Sequence, residues 1–196
     1  MLIMYDDEVL KPSNSGRLIA DIIPDTHAFI WSRSEPNRKM LSIINDPSYQ
    51  PYVIFPSEYA VEGQQVVDRV EPSLLPAGKK PLLILLDGSW REAIKMFRKS
   101  EYLHHLPLFS FSPESTASYA LRKGARDFQL GTAEVAALAL SAAGETENSA
   151  VLESWFAFFV ESSLHGRSRN NREESALTQL KQEYLDAYQK VAFNKS

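Results

Sequence analysis

Cysteine is missing from all 196 residues. Its absence excludes disulfides and thiolate metal sites, and fits a cytoplasmic location. No apolar run approaches the roughly 20 residues that cross a bilayer, so no membrane span is expected. The opening MLIMYDDEVL has neither a basic n-region nor a long apolar stretch, and does not read as a signal peptide. Histidine is scarce: of four, two are the adjacent His104 and His105. None has the spacing of a zinc site, so they read as partly exposed loop residues and no metal is expected. A general excess of positive charge is lacking as well. The formal net charge is −4, which argues against a broadly basic nucleic-acid binder. A local basic face stays open, because electrostatic recognition depends on where charge sits.

What is present fits one globular domain, with 44% hydrophobic residues to fill a core. Charge is uneven along it. Between Lys79 and Lys99 six basic residues (Lys79, Lys80, Arg91, Lys95, Arg98, Lys99) face two acidic ones, Asp87 and Glu92. Further clusters are Arg122, Lys123 and Arg126, and then Arg167, Arg169 and Arg172. Such clusters are either solvated surface or a binding face.

The hydrophobic pattern alternates between two periods. LIMY (2–5) and HAFIW (27–31) read as short strands around a helix beginning near Ser15. YVIF (52–55) and LLILL (82–86) are continuous apolar runs, as in strands buried on both faces. WREAIKMFRKS and GTAEVAALALSAAG read as helices, the second closed by Gly144. VLESWFAFFVESSL predicts a strongly apolar helix, residues 165–172 a polar linker, and about 173–191 a last amphipathic helix. Strands alternating with helices predict an α/β fold, a mostly parallel sheet with flanking helices.

The stretch LLILLDGSWREAIKMF joins a buried strand to an amphipathic helix. Ser89 followed by Glu92 is a capping box, which starts the helix at Trp90. Gly88 supplies the tight turn. With the cap in place, Asp87 is not needed for that job. It lies at the carboxyl end of a buried strand, where open α/β sheets place their ligand crevices. Trp90 offers either packing area or a ring to stack on.

Asp87-Gly88-Ser89-Trp90, followed by Ala93, Lys95 and Met96, resembles the DGTW signature of the DTW-domain proteins, with serine for threonine. Lys11-Pro12-Ser13-Asn14-Ser15-Gly16-Arg17-Leu18 is similar to that family's K-x-(S/T)-N-T-G-R-L segment, again with Ser15 for threonine. Phe55-Pro56-Ser57 resembles its hydrophobic-Pro-Ser/Asp turn after a strand. Ser118-Tyr119-Ala120-Leu121-Arg122-Lys123 resembles its Y-x-(L/I)-R-(K/R) segment. Leu130-Gly131-Thr132-Ala133-Glu134 is similar to its (L/T)-(S/T)-T-x-E-A helix start, with Val135 in place of the usual alanine. The five blocks stand in the family's order and cover residues 1 to about 160. The cysteine-rich segment that many members carry before the first strand has no counterpart in this sequence, a departure that bears on RNA affinity rather than on cofactor chemistry. The two serines keep the hydroxyl, so capping and hydrogen-bonding roles survive.

The resemblance implies a transferase that moves the 3-amino-3-carboxypropyl group of S-adenosylmethionine to N3 of a tRNA uridine, releasing methylthioadenosine. It also implies a SPOUT-like fold whose C-terminal part threads a trefoil knot, an exception to unknotted topology. Residues 1–164 would form the catalytic domain. Residues 165–196 would supply a basic linker and an amphipathic helix packed on that domain or extending it. The sulfonium is already a good leaving group, so the enzyme mainly has to orient it. Backbone amides in the turns at 55–58, 85–90 and 130–134 would hold the cofactor. Its binding residues would be Phe55, Pro56, Ser57, Leu85, Leu86, Gly88, Ser89, Trp90, Leu130, Thr132 and Glu134. The uridine imide loses a proton as it attacks, which calls for a carboxylate base. Asp87 is the expected base, with cofactor positioning as its other reading. Trp90 packs on the adenosine or on a base, and Thr132 with Glu134 either caps the following helix or binds. Lys11, Asn14, Arg17, Lys95, Arg122 and Lys123 are the expected RNA contacts. A SPOUT-type methyltransferase and a non-catalytic RNA-binding paralogue are the competing readings. The oligomeric state is open, with a monomer preferred.

Overall fold

In a computed structural model, the structure describes residues 1–70, 73, 75–76, 78–111, 130–167 and 174–194. Among these residues six strands form one sheet: β1 Leu2–Met4, β2 Ala28–Ile30, β3 Tyr49–Ile54, β4 Val66–Val67, β5 Lys80–Asp87 and β6 Leu108–Phe109. Their order is β2-β1-β5-β3-β6-β4, and every pairing is parallel. Among the described residues six α-helices flank them: α1 Arg17–Ile22, α2 Arg38–Ile44, α3 Trp90–Lys99, α4 Thr132–Ala142, α5 Thr146–Arg167 and α6 Glu174–Asn194.

Parallel strands covered on both faces need apolar side chains pointing both ways. β5 meets this along its length. Ile84 and Leu86 face α2 and α3, with Met40, Ile44, Ala93, Met96 and Phe97 completing that core. Leu85 faces the other way, toward Leu18 and Ile19 of α1 and Ala133, Ala136 and Ala137 of α4, with Val151 and Leu152 of α5 behind. The alanine run of α4 brings helix and sheet close together, because alanine adds almost nothing to the helix surface.

β5 enters the sheet after its neighbours in the chain, between β1 and β3. α1, following β1, packs on one face, whereas α2, following β2, packs on the other. This change of face makes the ends of β1, β5 and β3 a topological switch point, where such sheets open a crevice. Register places Met4 beside Asp87.

The two long strands, the alternation and five of the helices match the sequence pattern. α2 was not expected, although Asn37 caps it by accepting from the amides of Lys39 (2.9 Å) and Met40 (3.2 Å). β4 and β6 have two residues each, too few to show a period. The linker expected from 165 begins inside a helix, since α5 continues to Arg167; residues 168–173 lie outside those described. Gly144 closes α4 as expected, at φ +83°.

Candidate functional site

Side chains alternate along a strand, so Asp87 points to the same face as Leu85, toward α1 and α4. It is 2% exposed. Asn14 Nδ2 donates to its Oδ2 at 2.6 Å, and the Thr132 hydroxyl hydrogen-bonds the same carboxylate. Gly16 presses against it from below: a Cβ there would stand 2.5 Å from Oδ2. Burial pushes the Asp87 carboxyl above its ordinary range, while the bonds from Thr132 and Asn14 pull the other way.

The supporting loops are tied to one another. Asn14 Oδ1 accepts the amide of Arg17 at 2.9 Å, fixing the first turn of α1. Ser15 Oγ accepts the amide of Ala133 at 3.3 Å, so the α1 loop supplies a partner for the start of α4. Glu134 accepts the amide of Gly131 at 2.8 Å. Three segments far apart in the chain thus close on one carboxylate.

Trp90 belongs to the opposite face. Its ring stacks on Phe55 (5.6 Å, 22°), and Phe55 stacks on Phe97 (4.8 Å, 16°). Tyr59 meets Trp90 edge-on. Nearby, Lys95 donates to the Tyr5 hydroxyl at 2.7 Å, and Tyr5 stacks on Trp31. Trp31 in turn donates to Ser100 Oγ at 2.9 Å. Tyr5, Trp31 and Tyr59 escaped the sequence reading because single aromatics in short strands and turns carry no pattern of their own.

The expected capping box begins as read: the Ser89 amide donates to Glu92 at 2.7 Å. The Ser89 hydroxyl also holds the Glu92 carboxyl below its ordinary range. Several other expectations need correction. Thr132 does not cap α4; Gly131 is the N-cap, and the Thr132 hydroxyl is bound to Asp87. Asn14, expected as an RNA contact, is 2% exposed, with both ends of its amide engaged within the protein. Of the amides expected to hold a cofactor, Phe55 donates to Phe109, Ser57 to Ser110 Oγ, and Leu85 to Met1. Those of Ser89, Gly131 and Ala133 are also taken. The side chains of Leu85 and Leu86 fill the two cores. Pro56, Gly88 and Leu130 are half-buried, and Ser57 and Ser89 exposed, around the strand ends. Lys11, Arg17 and Lys95 are exposed; Lys11 pairs with Glu8, and Arg17 lies over the Phe159 ring at 5.4 Å. Arg122 and Lys123, with the rest of the 118–123 block, lie outside the described residues.

The family model of the DTW domain matches residues 1–164. The chain belongs to the DTW-domain family. No solved structure matches it. Membership is consistent with a tRNA-modifying enzyme. Among the described residues of the DTW domain and its C-terminal helix, no helix is long and apolar enough to cross a membrane. No group of three or more His, Asp or Glu among them could hold a metal ion.

Proposed function

We propose that this DTW domain transfers the 3-amino-3-carboxypropyl group of S-adenosylmethionine to N3 of a tRNA uridine, with methylthioadenosine as the other product. One observation carries the reading. The segments around Asn14, Asp87 and Thr132, each part of a family-like block, converge on one buried carboxylate at the switch point of the sheet. The same reading assigns the domain to the SPOUT-like class with a C-terminal trefoil knot, which the parallel sheet accommodates.

The residues present fit the donor chemically. Exposed Ser57 and Ser89 offer hydroxyls to a ribose, half-buried Pro56 offers an apolar contact, and half-buried Glu134 offers negative charge to an ammonium group. When bound, S-adenosylmethionine supplies an activated carbon beside a sulfonium. The chain's own contribution is to hold three loops in register, so that only one of the carbons on sulfur meets the acceptor.

The near-complete burial of Asp87 favours positioning over proton transfer. A general base has to come within hydrogen-bond reach of the proton it takes, and both neighbours of this carboxylate are protein groups. We assign Asp87 to fixing the loops around the donor, and the imide proton that leaves N3 as the new N–C bond forms passes to solvent. The test is nucleoside mass spectrometry of tRNA incubated with the protein and S-adenosylmethionine. An aminocarboxypropyl adduct on uridine is expected. A methyl adduct, or no adduct from folded protein that binds tRNA, would overturn the proposal.

A further inference from the structure

Trp90 is 47% exposed, yet its ring is fixed from beneath. The stack Trp90–Phe55–Phe97 runs from the surface into the core, where Phe97 is 1% exposed. A large apolar ring left in water while rigidly supported is suited to receive another flat ring, because little side-chain freedom remains to be lost on binding. Its surroundings are cationic. Arg91, Arg98 and Lys99 are exposed on α3, and Arg98 lies 5.9 Å from the Tyr59 ring that touches Trp90. Lys95, also exposed, is held against Tyr5 and Trp31. The acidic neighbours are Glu58, exposed in the turn before Tyr59, and Glu92, which is engaged by Ser89. In a chain of net charge −4, this concentration of arginine and lysine around an open ring matches an anionic polymer carrying flat rings.

We propose that Trp90 is a stacking platform for an unpaired base of the tRNA substrate, with Arg91 and Arg98 receiving the adjoining phosphates. The proposal rests on the RNA-modifying reading above and adds to it the face by which the RNA is gripped. Trp90 and Asp87 stand on opposite faces of the sheet, so the platform is separate from the loops that Asp87 ties together. The expected occupant is an RNA base; because Phe55 and Ser89 border the same ring, the calorimetry below separates it from the adenine of the donor.

Fluorescence anisotropy with labelled bulk tRNA, in two salt concentrations, tests this beside calorimetry with S-adenosylmethionine. Trp90→Ala is expected to weaken tRNA binding roughly 5- to 150-fold, the range for losing one base–aromatic stack. Trp90→Phe should retain most of the affinity, whereas Trp90→Leu, apolar but without a ring face, should behave like alanine. Arg91→Ala and Arg98→Ala should each lower the salt slope by about one. Melting temperatures and S-adenosylmethionine affinity should stay near wild type. Unchanged tRNA affinity in Trp90→Ala, or full affinity in Trp90→Leu, would overturn the platform while leaving the enzyme reading intact. Lost S-adenosylmethionine affinity would make Trp90 the adenine seat and overturn it too. Wild-type protein that binds no tRNA would overturn both readings together.

Discussion

A carboxylate buried to 2% exposure needs hydrogen-bond donors, and Asp87 has Asn14 and Thr132, while its burial raises its pKa. Its raised pKa makes a linkage prediction. A folded-state pKa above the ordinary value of 3.8 means the folded protein holds this proton more tightly than the unfolded chain. The associated stability is full below that value and disappears as pH rises through the folded pKa. Asp87→Asn removes the slope, so the variant's stability relative to wild type should increase with pH across this window. Urea melts in steps from about pH 4 to pH 8 read it directly; a constant difference would show that Asp87 titrates normally. Gly16 is the companion position. Its φ of −60° suits any residue, so the objection to a side chain there is purely steric. Gly16→Ala should cost about 1–3 kcal/mol by overpacking against Asp87, whereas a Cβ at Gly166 would meet nothing within 4 Å and Gly166→Ala should cost far less. Chemical denaturation of the two variants measures the contrast.

Among the elements, α3 is the one whose start and two faces have separate duties. Its first turn is held by Ser89 and Glu92, its inner face buries Ala93, Met96 and Phe97, and its outer face carries the arginines. Because the Glu92 carboxyl lies below its ordinary range, its contribution is present above the unfolded value and is lost as pH falls through the folded one. Glu92→Gln should therefore flatten the acid limb of stability near that pH. Ser89→Ala should cost about 0.5–2 kcal/mol, the usual penalty for losing an N-cap. A helix start unaffected by both changes, judged by amide exchange at residues 90–93, would show that the cap is redundant.

The described residues build two cores, one on each face of the sheet, and β5 belongs to both. Trp31 and Trp90 report from the α3 side, and Trp155, against Tyr184 of α6, from the other. Ile84 points into the α3-side core and is fully buried. Ile84→Ala should cost about 2–5 kcal/mol. The loss should appear in one transition, shared by single-tryptophan variants that report from the two sides. Separate transitions would mean that the faces unfold independently, contrary to a shared central strand.

Composition and short-range pattern determined a good deal. The apolar runs of β3 and β5 are legible because strands buried on both faces need continuous hydrophobicity. The start of α3 is legible because capping is local chemistry between Ser89 and Glu92, three residues apart. The family blocks marked Asp87 and Trp90 together, one as the expected base and the other as a ring to pack on the adenosine or a base. Tertiary structure turns the two side chains to different faces, since a strand ends and a helix begins between them. Asp87 keeps the strand's alternation and turns toward α1 and α4, while Trp90 opens α3 on the other face. The partners of Asp87 lie 73 residues before it and 45 after it, distances at which no periodicity operates. Only the parallel pairing of β1 with β5, and the packing of α4 on α1, brings Asn14 and Thr132 to that carboxylate. That is also why Asn14 became an interior ligand of Asp87 and Thr132 lost its place as a cap.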